Sequence, residues 1–400
     1  MKLIFAHDTI LQYDKASDQY YSAAFSYSLW SRYLTMFNQM TVVSRMREME
    51  EGERRQIQAL SSGPHVSFAP VPSISSPLAM IKYRSTAIML MKKALADADI
   101  VIARLPSEVG ALAIHVAKKL GKPWAVELVG HVWDSFWHCG NWKGKVYAPV
   151  MTWRIKSLVR QAPIVLYVTE QFLQEKYPTS GKMISCSDVE IPDVSSEVLY
   201  RRLYRATEKR SSYVIGLIGS MRSKYKGIDT AIRAVARLKD RVPAIKLRIL
   251  GDGNTTPWRR LAEQLGVGEK VEFCGEIPGG QPVFDWLDNI DVYIQPSKTE
   301  GLPRSLIEAM SRGLPCFASH VGGIPELLPE SCLIEAGDDD HLAQLFFTLY
   351  QDVNWEETLV KQNFHKASTY EKSVLDVRRK EFLEEVYRLV KRSSAGGLQP

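Results

Sequence analysis

Short apolar runs rich in branched residues punctuate the chain at Leu3–Ala6, Met40–Ser44, Ile100–Ala103, Trp124–Val129 and Pro163–Thr169. They return at Tyr213–Ile218, Lys246–Leu250 and Ile290–Gln295. Runs of that length and makeup predict strands buried on both faces of a parallel sheet. Between them, apolar residues recur at helical spacing. A polar loop through Asp8, Asp14 and Asp18 is expected after the first strand, then a helix from about Tyr20 to Phe37. Further helices are predicted within Ser73–Leu95, over Trp142–Arg160 and from Thr169, whose hydroxyl suits an N-cap. Strand then helix, repeated, is the pattern of doubly wound α/β domains. At 400 residues the chain exceeds one ordinary core, so two such domains are expected, over residues 1–205 and 206–372. The arginine-rich Ser195–Ser212 reads as a helix-like connector rather than a loose tether. A last helix within 373–392 precedes a frayed tail at 393–400.

Polar chemistry concentrates in Pro296–Glu326. The strand Ile290–Gln295 delivers the loop Ser297–Leu302 onto a helix that Pro303 can open, since proline at the first helical position gives up only an N–H without a partner. Leu306, Ile307 and Met310 would face a core while Arg304, Glu308 and Ser311 line a polar face, and Gly313 with Pro315 ends the helix. A strand tip feeding a helix N-terminus is an anion site, because free N–H groups and the helix dipole both favour negative charge. Glu300 sits in the loop beside the amides of Gly301 and Leu302, and Glu308 lies on the second helical turn. Each reads either as a solvated charge or as an acceptor for the hydroxyls of a sugar diol. A second loop, Gly219 to Gly227, follows Tyr213–Ile218 and holds Arg222, Lys224 and Lys226, cations that could neutralise a diphosphate. Gly251-Asp252-Gly253 is a weaker signal, commonly a turn. In the first half, Trp124–Val129 delivers Gly130-His131 to the carboxyl end of a strand, where open sheets bind ligands. Asp97-Ala98-Asp99 begins a strand instead of ending one, and reads as a helix-to-strand connection rather than a metal site.

Charge and cysteine usage narrow the classes. A net charge of +6 and a pI near 8.9 are compatible with an anionic substrate or membrane surface. Without a helix-turn-helix or zinc-finger pattern, nucleic acid is not an expected partner. Cys139, Cys186, Cys274, Cys316 and Cys332 are odd in number and form no C-x-x-C pair, which suits reduced thiols in a cytoplasmic protein. The N-terminal MKLIFAHDTI is too short for a secretory signal, and no stretch approaches ~18 apolar residues, so any membrane contact is expected to be peripheral. Two segments invite such contact. Ser73–Leu95 sets Lys82, Arg84, Lys92 and Lys93 against a Met-rich apolar face, and Trp142–Arg160 mixes Trp142, Tyr147 and Trp153 with Lys143, Lys145, Arg154, Lys156 and Arg160. Helices of this kind either cover a sheet or lie on anionic lipid.

Glu300-Gly301-Leu302-Pro303, Glu308-Ala309-Met310, Gly313-Leu314-Pro315 and Gly322-Gly323-Ile324-Pro325-Glu326 together resemble the signature of retaining GT-B glycosyltransferases of family four. The resemblance implies two Rossmann-like domains facing a central cleft, the second holding a nucleotide sugar, with the last helix crossing back to the first. It implies that Glu300 contacts the donor sugar, that Glu308 binds the ribose, and that backbone from Gly301, Leu302, Pro303 and Arg304 holds sugar and diphosphate. His131 would reach the sugar across the cleft. Gly219, Ser220 and Gly251 fall in donor loops, and Glu276 and Ile277 in the segment that frames the base. Lys226-Gly227 fits the family loop, but Ser220 stands where the family carries Arg. Arg222 is either its replacement or a solvated loop charge. The first loop, His7 to Tyr20, lacks the family's glycine pair. The implied activity is metal-independent hexosyl transfer with retention and no cofactor. The donor would be a nucleoside-diphosphate sugar, with UDP ahead of GDP, and the acceptor a glycan or lipid-linked glycan in surface polysaccharide synthesis at the inner face of the plasma membrane. A nucleotide-sugar epimerase of the same fold and a non-catalytic nucleotide-sugar-binding partner in an assembly complex are the alternatives. A dinucleotide-dependent dehydrogenase is disfavoured, since no G-x-G-x-x-G follows the first strand.

Overall fold

The computed structural model describes residues 1–22, 25–49, 59–133, 142–208, 210, 212–242 and 244–396, so Cys139 lies outside the described residues. Two sheets share no strand. The first is built from β1 (Lys2–Asp14), β2 (Gln19–Ser22), β3 (Gln39–Glu48), β4 (Ala59–Leu60), β5 (Val66–Pro70), β6 (Ile100–Leu105), β7 (Trp124–Leu128), β8 (Ile164–Tyr167) and β9 (Lys182–Ser185). Its parallel body runs β5-β3-β1-β6-β7-β8-β9, and β2 and β4 extend it antiparallel beside the far end of β1. The second sheet holds β10 (Tyr213–Ile218), β11 (Ile245–Leu250), β12 (Val271–Gly275), β13 (Val292–Gln295), β14 (Cys316–Ser319) and β15 (Leu333–Ile334). All are parallel, in the order β12-β11-β10-β13-β14-β15. Every residue of β7, β8, β13 and β14 is buried, because crossover helices cover both faces of such sheets. Two doubly wound α/β domains are therefore present, as the strand–helix alternation predicts.

The beginning of the chain departs from the expected loop and long helix. Asp8 and Asp14 lie within one 13-residue strand, which pairs with β3 up to Ala6, shifts register and pairs again from Ile10. It then turns back through β2, and the helix starts only at Tyr27. Aromatic pairing across strands explains the difference. Tyr13 sits opposite Tyr20, with ring centroids 4.9 Å apart, and Tyr20 stacks at 4.2 Å on Phe68 of β5. Such a ladder stabilises strands, whereas sequence spacing alone counted Tyr20 and Tyr21 toward a helix. Asp97 and Asp99 do serve the connection, holding Lys2 through its side chain (2.7 Å) and its backbone N–H (2.6 Å).

The two halves are joined twice. The helix Ser196–Thr207 docks on the second half, where Arg202 donates to the Ile290 carbonyl (2.8 Å) and Arg205 pairs with Asp291 (2.8 Å). Packing of the second half thus begins before residue 206. The helix Lys372–Gly396, which takes in part of the expected tail, returns to β8 and β9. There Lys182 pairs with Glu381 (2.8 Å), Arg378 with Glu170 (3.0 Å), and Arg379 donates to the Ser187 carbonyl (3.1 Å).

A third tie is a single carboxylate. Glu326, from the second half, accepts the backbone N–H groups of Glu170 (2.6 Å), Gln171 (3.1 Å) and Phe172 (2.7 Å) at the start of the helix Phe172–Lys176. These are donors that a helix leaves unpaired at its first turn, and an anion is the partner they favour. Thr169, expected as the cap, accepts instead from Leu173 N–H at 3.0 Å. Glu326→Ala should cost about 1–3 kcal/mol, as expected for hydrogen bonds to a charged group. It should also enlarge the radius of gyration in small-angle scattering. An unchanged melting temperature together with an unchanged radius would show that the tie does not hold the halves.

Candidate active site

Travelling from β10, the chain adds β11 and β12 on one side and returns to add β13 on the other. Loops leaving the carboxyl ends of β10 and β13 therefore diverge and open a crevice between them. Two close approaches define it. The Lys298 N–H donates to the Tyr225 carbonyl at 2.7 Å, and Gly227 (φ 69°) sits so near Pro296 that a Cβ there would lie 1.8 Å from the Pro296 carbonyl oxygen. Next along the rim, a Cβ on Gly251 would lie 2.2 Å from the Gly219 oxygen, and Gly251 N–H donates to the Gly275 carbonyl at 2.7 Å. The tips of β12, β11, β10 and β13 form one continuous rim. At its far end Glu276 is exposed and Ile277 half-buried against the core.

Lys226 and Glu300 meet in the crevice, Nζ to Oε1 at 2.8 Å, with the lysine 17% and the glutamate 10% exposed. The bare Cα of Gly219 lets the lysine stem lie across the loop. Glu300 Oε1 also accepts from Gln295 Nε2 (2.9 Å) and Ser297 Oγ (2.7 Å). Gln295 is itself oriented by Tyr293 OH (2.6 Å) and Ser305 Oγ (3.2 Å), both donating to its Oε1. Lys226, Gln295 and Ser297 all address one carboxylate oxygen. Oε2 takes no protein donor among the described residues and is available to a hydroxyl donor.

The following helix, Arg304–Ser311, buries Leu306, Ile307 and Met310 as its spacing predicts, with Leu302 and Pro303 buried just ahead of it. Ser311 departs from the expected polar face; it is buried and donates to the Glu308 carbonyl at 2.7 Å. Glu308 is half-buried and has no hydrogen-bond donor among the described residues. Desolvation pushes its pKa up, against the pull of Arg304, which is exposed one turn earlier. A carboxylate kept partly dry without a partner is costly for the fold and suited to binding hydroxyls. Arg222 is not drawn into this constellation. Its side chain is three-quarters exposed and pairs with Asp252 at 2.7 Å. Ser220 turns toward the Asp252 carbonyl (3.5 Å).

The first half meets this rim at the tip of β7. A Cβ on Gly301 would lie 2.7 Å from the Val129 carbonyl oxygen and 3.6 Å from Gly130 Cα, so only glycine lets the loops touch. His131 follows. Its Nδ1 lies 2.8 Å from the hydroxyl of Tyr177, which also accepts the Val132 N–H at 3.0 Å, and Phe172 and Tyr177 meet the ring edge-on. Tyr177 had no signal in sequence, because it reaches the site from 46 residues away. Deeper in the first sheet, the free amides of the helix Glu108–Lys119 are already taken: Asp8 accepts from Glu108 N–H (2.5 Å) and Val109 N–H (3.1 Å). Beside it His7 is pushed down to about 3 by burial, then by Arg104 and Arg45, and stays neutral. Burial would raise Asp188, yet Arg104, and more distantly Arg304 from the other half, hold it below the usual carboxylate range.

A family model described as glycosyl transferases group 1 matches residues 212–352. Protein CapJ of Staphylococcus aureus is 32% identical over 383 residues, covering 96% of this chain and 95% of that protein. A putative colanic acid biosynthesis glycosyltransferase, WcaL of Escherichia coli (strain K12), is 37% identical over 131 residues, 30% of this chain and 32% of that one. Among solved structures, Anabaena Alr3699/HepE in complex with UDP-glucose superposes with a TM-score of 0.64 at 15% identity, covering 96% of this chain and all of that one, a likeness of fold. With such identity along nearly the whole of both sequences, and with the matched segment carrying Lys226, Glu300 and Glu308, the chain belongs to the group 1, GT4-type glycosyltransferases of GT-B fold.

Proposed function

We propose that this glycosyltransferase moves a hexose or N-acetylhexosamine from a nucleoside-diphosphate sugar, with retention of configuration and without a metal ion. The acceptor is a glycan or lipid-linked glycan in surface polysaccharide synthesis at the cytoplasmic face of the membrane. The observation that carries this reading is the Lys226–Glu300 pair, with one carboxylate oxygen and, farther along the same rim, Glu308 left without a hydrogen-bond donor among the described residues. The likeness to WcaL supports a polysaccharide product, and the UDP-glucose held by HepE supports a uridine nucleotide.

The chemistry follows from charge. As the glycosidic bond to the diphosphate stretches, negative charge grows on the leaving oxygens, and Lys226 with the amides opening the helix Arg304–Ser311 is poised to take it. Glu300 Oε2 fixes a sugar hydroxyl and balances the positive charge at the anomeric carbon. His131, held by Tyr177, orients the sugar from the opposite wall. The acceptor oxygen enters on the face that the phosphate leaves, which retains configuration. Contact of Gly301 with Val129 keeps water from the donor. A non-catalytic nucleotide-sugar-binding partner is the second reading, favoured by Ser220 at the family's Arg position and by Asp8 filling the first sheet's helix amides.

A thermal-shift screen of nucleotide sugars should single out the donor, which adds about 2.7 kcal/mol of stability at a hundredfold excess over Kd and so raises the melting temperature. With that donor, wild-type protein should form an α-linked product from an α-linked donor, checked by NMR of the new anomeric centre; an inverted centre overturns retention. Lys226→Ala should lower kcat by roughly 10²–10³-fold with the fold intact, the loss typical of one electrostatic donor. Wild-type protein that binds the donor but transfers nothing to any acceptor fraction would establish the second reading.

Glu308→Gln separates stability from binding. Glu308's folded pKa is raised, so the stability it lends is full when it is protonated and is lost as pH rises through that raised value. The glutamine variant should therefore melt higher than wild type at neutral pH. Its advantage should fade as pH falls below the ordinary glutamate range. Donor binding should weaken roughly 10- to 100-fold, the worth of hydrogen bonds to a charged group. A lower melting temperature at neutral pH would contradict the burial cost.

A further inference from the structure

The helices Pro77–Leu95 and Trp142–Gln161 flank the helix Glu108–Lys119 on the first half. Both turn apolar side chains to solvent. Leu78, Ile81 and Met89 fall on one side of the first helix, opposite the buried Ala87, Met91 and Leu95, and Val150 and Trp153 lie three residues apart on the second. These five residues are between 58% and 83% exposed, three on one helix and two on the other, more than the single scattered apolar residues that would be ordinary.

Charge identifies the occupant. The two helices contain nine Lys and Arg and no Asp or Glu, whereas the whole chain has a net charge of only +6, so the remaining residues are net acidic. Lys82, Lys92 and Lys93 are exposed beside the first stripe, and Lys156 and Arg160 beside the second; none pairs with a carboxylate among the described residues. Arg154, by contrast, turns inward to Glu108 at 2.6 Å. The surface is the convex side of helices and not a groove. A protein partner would need a fitted cavity, while a bilayer accepts convex apolar side chains between headgroups and gathers lysines against its phosphates. No helix of the described residues is long and apolar enough to cross the membrane.

We propose that this face docks the first half on an anionic phospholipid bilayer, with Leu78, Ile81, Met89, Val150 and Trp153 seated among the headgroups. The inference stands on this surface and not on the sugar chemistry.

Vesicle flotation of the full chain, without sugar substrates, tests it. Wild-type protein should float with phosphatidylcholine vesicles containing phosphatidylglycerol, stay behind with phosphatidylcholine alone, and be released by high salt. Leu78→Ser/Ile81→Ser/Met89→Ser and Lys82→Gln/Lys92→Gln/Lys93→Gln should each weaken flotation about tenfold or more, with melting temperature and donor binding unchanged. Flotation of the variants at wild-type level, or failure of wild-type protein to float with anionic vesicles, overturns the proposal. So does a lipid-free dimer that the serine variant dissolves, since the patch would then cover a second copy of the chain.

Discussion

Lys226 and Glu300 come together because β10 and β13 are parallel neighbours whose connections leave in opposite directions. Their carboxyl ends point the same way, so the two loops share one crevice and must approach each other closely. Glycine makes that possible: at Gly227 the Pro296 carbonyl occupies the place of a side chain, and at Gly219 the Lys226 stem does. Once the loops touch, Gln295 and Ser297 hold one oxygen of Glu300 and leave the other without a protein donor among the described residues. Binding capacity here is a remainder, what is left after the protein's own donors are assigned.

The same accounting separates the two halves. At the switch point of the first sheet, Asp8 satisfies the helix amides that would otherwise draw an anion. Arg104 is neutralised by Glu127 (3.1 Å) and by Asp188. Under the proposed function, negative charge on the donor is thus left to the rim of the second sheet. The halves nevertheless meet, because Gly301 abuts Val129 and Glu326 caps a helix of the first half. A shift of either half would move His131 relative to Glu300. Lys82, Lys92, Lys93, Lys156 and Arg160, which pair with no carboxylate among the described residues, lie elsewhere, on the outer helices.

Sequence by itself determined the α/β class, most of the parallel strands and the pair of glutamates, because buried strands read as branched apolar runs and the loop signature is contiguous. It did not determine the beginning of the chain, where Tyr13, Tyr20 and Phe68 pair across strands distant in sequence and override helical spacing. Only the tertiary structure decided which groups reach the crevice. Lys226 and Arg222 are equivalent cations in one loop, yet one turns to Glu300 and the other to Asp252. Tyr177 behind His131, and Glu326 at the other half's helix, depend on contacts 46 and more than 150 residues apart. A linear pattern records what a residue could bind, and packing fixes which partner it has.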